Sequence, residues 1–167
     1  KAVASVKEGA PLVIWTNLLG KEPILRAAAA LGYSHLRGEF IWAKRTREVN
    51  ANEQLLRVYE VALVLMKEPA PVLTAADRPV PWSVVTGYDD EGEGDTWGEH
   101  PHHKPFSSIE PLLRAWSKPG DLVLDPFAGS GSIPVAALRL ERRTACLEKK
   151  PDWAARVTER LSATTSA

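Results

Sequence analysis

The stretch LVLDPFAGSGS, Leu122 to Ser132, decides how the chain is read. An apolar run ends in an aspartate. The chain then passes through Pro126 and Phe127 into small residues, with glycines at 129 and 131. Glycine takes positive φ without strain and has no Cβ, so a turn of this kind lets the backbone come close to a ligand. Apolar patterning predicts a strand over 121–125 before the turn and a helix over 133–141 after it. Glu148 ends the next predicted strand, 143–148. In a parallel sheet its carboxylate stands beside the first turn, where it can accept hydrogen bonds from both hydroxyls of a ribose. The two features together are more specific than either alone. The plain alternative is a tight strand–helix turn with a solvated Glu148.

The turn also restricts which ribose ligand it can take. A dinucleotide site usually carries a third glycine, GxGxxG, so that phosphates can sit on the helix N-terminus. Pro134 occupies that third position, and Asp125 and Phe127 precede the glycines. An acid repels a pyrophosphate. It suits a ligand with an ammonium and a sulfonium group, and S-adenosylmethionine is such a ligand.

Bulk properties set looser bounds. The chain has 167 residues, about one domain by length. Twenty-one basic residues balance 21 acidic ones, so net charge favours neither nucleic acid nor membrane, and a binding surface for either must be a local patch. One cysteine, Cys146, excludes an internal disulfide and fits a reducing compartment. No apolar run reaches the roughly 18 residues of a membrane span, and no signal-peptide pattern opens the chain.

Working outward, PLVIWTN (11–17) reads as a buried strand, and EPILRAAAALG (22–32) as a helix between Pro23 and Gly32. EFIWAKR (39–45) and YEVALVLMKE (59–68) read as two more strands, paired as a hairpin across the polar stretch 46–54. Residues 69–99 hold clustered prolines and the acidic, glycine-rich run DDEGEGD, and read as a long surface loop. SSIEPLLRAWSKPG (107–120) reads as a helix capped by Ser107 or Ser108. A final helix is predicted over 151–163, with a frayed tail. The C-terminal alternation of strand and helix implies a parallel sheet covered by helices. His100, His102 and His103 cluster, but Pro101 intervenes and the spacing matches no zinc pattern.

The run DLVLDPFAGSGSIPVAALRLERRTACLEKKPDWAARVTERL resembles the cofactor half of the DNA amino-methyltransferases, the adenine-N6 and cytosine-N4 group. HPHHKPFSSIEPLLRAWSKPGD resembles the segment that precedes this turn in their permuted β arrangement, where the usual text is close to H-P-x-x-K-P. The resemblance is strong over roughly residues 100–161 and weaker through the three N-terminal strands. Ser132, where threonine is commoner, and the histidine pair at 102–103 are its departures.

The resemblance implies an α/β Rossmann-like S-adenosylmethionine methyltransferase fold: a mainly parallel sheet with helices on both faces and the 59–68 strand antiparallel near one edge. Residues 1–167 then form a single methyltransferase domain, with 69–99 as a candidate reduced target-recognition region. It further implies that Asp125, Pro126, Phe127, Ala128, Gly129 and Gly131 line the cofactor, and that Glu148 holds the ribose. Lys104, Pro105 and Ser107 would shape the methionine end. Plain alternatives make Lys104 a solvated surface lysine and Phe127 a core residue.

The implied activity is methylation of an exocyclic amine in DNA. RNA as substrate, a non-catalytic cofactor-binding subunit and a nicotinamide-dependent oxidoreductase are the alternatives. The implied partners are DNA and a second protomer or specificity subunit, with no membrane, in the cytoplasm or on the nucleoid, as in restriction-modification. The family grips the target amine with a [D/N/S]-P-P-[Y/F/W] element. The nearest text here, DRPVPW (77–82), does not match it. The element is therefore expected upstream of Lys1, on a strand between those ending near Asp125 and Asn17, and the domain is expected to be incomplete at its N-terminus. The acidic run Asp89, Asp90, Glu91, Glu93 and Asp95 would repel phosphates, whereas Lys44, Arg45 and Arg47 could meet them.

Overall fold

The structure is a computed structural model that describes residues 8–44, 59–67, 83–87 and 100–165, together with residue 6. The chain divides into two compact units, Lys1–Asp77 with Trp82–Thr86, and Arg78–Pro81 with Gly87–Ala167.

The first unit is built on a four-stranded sheet of order β1-β3-β2-β4, with β1 Leu12–Thr16, β2 His35–Lys44, β3 Tyr59–Met66 and β4 Val84–Gly87. β3 is antiparallel to both neighbours: Ile14 lies opposite Leu63 on one side, and Phe40 opposite Ala62 on the other. β1 and β2 therefore run in one direction, with a reversed strand between them. The hairpin expected from the sequence is the β2–β3 ladder. The reversed strand sits inside this sheet, between β1 and β2.

Its interior position explains its composition. Val61, Ala62, Leu63, Val64, Leu65 and Met66 are all buried, so both faces of β3 are covered and the run is continuously apolar instead of alternating. Helix α1, Lys21–Ala30, contributes Ala28, Ile24 and Leu25 to a core with Val61, Leu63 and Leu65. The helix stops where Gly32 takes φ 86°, and the Gly32 and Tyr33 amides close onto Ala29 and Ala28.

In the second unit, β5 (Leu122–Asp125) and β6 (Arg143–Cys146) are parallel, with Asp125 opposite Cys146. This is the pairing that the strand–helix–strand pattern predicts. In chain order the helices are α1 (21–30), α2 (Phe106–Trp116), α3 (Ser132–Arg139) and α4 (Pro151–Thr165); α2 lies before this strand pair, α3 between its strands and α4 after it. α2 carries Ile109, Leu112 and Ala115 inward, and α3 carries Val135, Ala136 and Ala137. Arg142 is buried beside them. It donates to Ser117 Oγ at 3.0 Å, Ser117 O at 2.7 Å and Leu140 O at 2.5 Å, tying the end of α2 to the turn after α3.

Several boundaries differ from the sequence reading. β6 ends at Cys146, so Glu148 stands two residues past the strand. α2 begins at Phe106 with Pro105 as its N-cap, and no side chain caps it. Ser108 Oγ instead donates back to Pro105 O at 2.9 Å, a bond available only once the turn has closed. α4 continues to Thr165, into the stretch read as a frayed tail. Residues 84–87, within the stretch read as a loop, form β4. Apart from Ser83, the rest of 69–99, including the acidic run, and Arg45 and Arg47 lie outside the described residues.

Candidate functional site

β5 delivers Asp125 to its carboxyl end, where the side chain is 7% exposed. Asp125 Oδ1 accepts from the Phe127 amide at 3.1 Å, which begins the turn. Burial pushes the Asp125 carboxyl above the usual aspartate range. The Phe127 amide opposes that rise and the charge on Glu148 adds to it. Phe127 is 87% exposed, which excludes the core reading, and leaves its ring free for a ligand. Ala128 is buried and its amide donates to Leu147 O at 2.9 Å. Pro126 is half-buried in the same turn.

The two glycines are needed for different reasons. Gly131 takes φ 81° and is the N-cap of α3; a Cβ there would lie 3.2 Å from Val157 Cγ2 on α4. Gly129 takes φ 54°, and a Cβ there would meet the His100 ring at 2.9 Å. The turn is therefore pressed between α4 on one side and the segment starting at His100 on the other.

Glu148 reaches the same turn. Its Oε2 accepts from the Gly129 amide at 2.9 Å and its Oε1 from the Lys150 amide at 2.8 Å. The Lys150 amide, then the Gly129 amide, hold the carboxyl below the usual glutamate range, so Glu148 is anionic. A carboxylate offers about four lone-pair positions, so the amides that hold it leave acceptor capacity for a hydroxyl-bearing ligand. The acceptor set thus suits a ribose diol and a cationic group. It suits a pyrophosphate poorly, because two carboxylates face the turn.

The HPHHKP segment docks against this turn. Lys104 is 8% exposed, so it is not a solvated surface lysine. Its amide donates to Ser132 Oγ at 3.2 Å and its Nζ to His102 O at 3.2 Å. Pro105 is fully buried at the start of α2, and Ser107 is half-buried in that helix's first turn.

Sequence reasoning missed the histidines' role. His103 Nδ1 lies 3.1 Å from Ser130 Oγ and 3.0 Å from Ser132 Oγ, and all three residues are buried. His100 packs edge-on against Trp153 with ring centroids 4.5 Å apart, and burial lowers its pKa from the ordinary histidine range. Only contacts across the fold reveal these pairings; no local spacing encodes them. Among the described residues no group of three or more His, Cys, Asp or Glu could hold a metal ion, and no helix is long and apolar enough to cross a membrane.

Comparison with known proteins places these features in a family. The family model described as DNA methylase matches residues 13–159. The putative methylase YubD of Escherichia coli (strain K12) is 44% identical over 64 residues, which is 38% of this chain and 28% of that protein. The type II methyltransferase M2.DpnII of Streptococcus pneumoniae is 39% identical over 66 residues, 40% of this chain and 25% of that protein. These matches thus span little more than a quarter of the curated relatives' length. Among solved structures, the M1.HpyAVI–SAM complex aligns with a TM-score of 0.78 at 23% identity, covering 93% of this chain and 76% of that one.

Proposed function

The chain belongs to the DNA methylase family, and from that premise we propose that it carries a methyl group from S-adenosylmethionine to an exocyclic amine of DNA, adenine N6 or cytosine N4. The observation that carries the proposal is the turn after β5, whose Gly129 amide is held by an anionic Glu148 with acceptor positions to spare. S-adenosylmethionine, when bound, supplies an electrophilic methyl on a sulfonium.

The chain's own residues bind and orient. Glu148 is assigned to the ribose hydroxyls. Gly129 and Gly131 keep the turn free of Cβ atoms, and Phe127 offers an exposed ring to the purine. Asp125, Pro126 and Ala128 shape the turn. Lys104, Pro105 and Ser107 border it from the HPHHKP side, where the methionine portion is assigned. The amine needs little acid–base assistance. Its lone pair is delocalised into the ring, and hydrogen bonds to the NH₂ localise it. The groups that make those bonds are expected on a [D/N/S]-P-P-[Y/F/W] element, which none of the 167 residues forms.

A second reading makes the chain a cofactor-binding subunit beside an active partner. Both readings put the protein on DNA, in the cytoplasm or at the nucleoid. In both, recognition is assigned to residues 69–99 or to a second protomer or specificity subunit. The full-length gene product, incubated with methyl-labelled S-adenosylmethionine and either duplex DNA or RNA, tests them. Label in DNA supports the enzyme reading, and label in RNA alone contradicts it. Label in DNA only after a partner is added supports the subunit reading.

A further inference from the structure

We infer that His103 is a positioning residue that sets the shape of the glycine turn, and with it the affinity for cofactor; the second half of this inference rests on the function proposed above. His103 Nδ1, Ser130 Oγ and Ser132 Oγ form a closed triangle with sides of 3.1, 3.0 and 2.9 Å. The serines flank Gly131, one of the two glycines at which the backbone turns left-handed. One imidazole nitrogen thus lies against the side chains on both sides of Gly131.

A proton count shows what the triangle can satisfy. Ser132 Oγ already accepts from the Lys104 amide at 3.2 Å. Two hydroxyl protons need acceptors. With Nδ1 as acceptor, one serine donates to Nδ1 and the other donates to its neighbour, so both protons are placed. With Nδ1 as donor, only one of them finds an acceptor inside the triangle. Either neutral tautomer leaves one proton outside the triangle, the Nε2–H in one case and a serine hydroxyl in the other, so the brace needs no particular tautomer.

The brace joins parts of the chain far apart in sequence. His103 and Lys104 lie ahead of α2, and Ser130 and Ser132 lie 27 and 28 residues later, respectively, counted from those two partners. Arg160 of α4, itself buried, donates to Ser130 O at 3.0 Å, so the same residue is also held from the far side. Gly129 and Gly131 have no side chains with which to fix themselves. Their conformation must come from such neighbours, and buried networks of this kind lose most when one member is removed. His103 need not touch the ligand to act on it. It decides whether the Gly129 amide stays on Glu148, and whether Phe127 projects from an ordered turn.

The test uses three variants. In asparagine the amide atoms are bonded to Cγ, where Nδ1 is in histidine; in glutamine they lie one carbon further out, near Nε2. Hydrogen exchange of residues 128–132 and calorimetric binding of S-adenosylhomocysteine are measured for wild type, His103→Ala, His103→Asn and His103→Gln, well below each melting temperature. His103→Ala is expected to lose protection at Gly129 and Gly131 and to bind about tenfold more weakly, the loss of roughly one buried hydrogen bond. His103→Asn is expected to recover most of both, and His103→Gln little of either. Wild-type protection and affinity in His103→Ala, or equal recovery by asparagine and glutamine, would overturn the inference. If wild type itself does not bind S-adenosylhomocysteine, the functional reading fails, and the exchange data alone decide the brace.

Discussion

The Glu148 carboxylate and the Gly129 amide meet at 2.9 Å, joining the segment after β6 to the turn after β5. The contact links two parts of the site that a ligand would otherwise have to bring together. Backbone amides, led by those of Lys150 and Gly129, hold the Glu148 carboxyl below the usual range, with nearby His100 a smaller contribution. The proposed contacts of Asp125, Gly129 and Glu148 with the cofactor therefore lie within one parallel strand pair and its two following segments.

Replacing Glu148 with alanine should weaken S-adenosylhomocysteine binding by about tenfold to a hundredfold, the effect of losing charge-assisted hydrogen bonds. Thermal stability should change little, since the side chain is only half-buried. Titration calorimetry reads the affinity directly. An unchanged dissociation constant would make Glu148 merely a brace for the turn.

Asp125 should show the opposite pH behaviour from an ordinary carboxylate. Burial raises its pKa, so the folded state binds the proton more tightly than the unfolded state does. The stability this confers is present below the ordinary aspartate range and is lost as pH rises through the raised value. Asp125→Asn keeps an acceptor for the Phe127 amide and removes the charge. It should therefore melt higher than wild type at neutral pH, with the gap closing as the solution is acidified below the aspartate range. A gap that widens in acid would contradict this sign.

Much of this site was legible because it is local. The strand ending in Asp125, the glycines that follow and the acid beyond the next strand lie in one strand–turn–helix–strand unit, where periodicity and turn chemistry specify the geometry. β3 was legible from its unbroken apolar run, Val61 to Met66, which only a strand covered on both faces needs. Other features resist such reading. β4 is four residues, VVTG, within a proline-rich stretch whose composition signals loop. Ser107 and Ser108 look like caps, yet Pro105 takes the cap position and Ser108 bonds back to it. The His103 brace joins serines on either side of a glycine to a distant histidine, and nothing in local spacing marks that pairing.

Gly131→Ala should lower stability by about 1–2 kcal/mol, the cost of a left-handed conformation for a residue with a Cβ. Contact with Val157 Cγ2 at 3.2 Å adds to that cost, because Val157 is buried and has little room to retreat. Denaturant unfolding measures the difference. A midpoint equal to that of wild type would mean that the turn rearranges freely, contrary to the picture of a braced loop.

The central claim is that the turn from Asp125 to Gly131, with Glu148, is a site for S-adenosylmethionine and not for a dinucleotide. Parallel calorimetric titrations of the wild-type protein with S-adenosylhomocysteine and with NAD test it most directly. The account predicts saturable binding of S-adenosylhomocysteine and no measurable binding of NAD, because Asp125 and Glu148 repel a pyrophosphate and Pro134 stands where the third glycine would be. Preferential binding of NAD would contradict it.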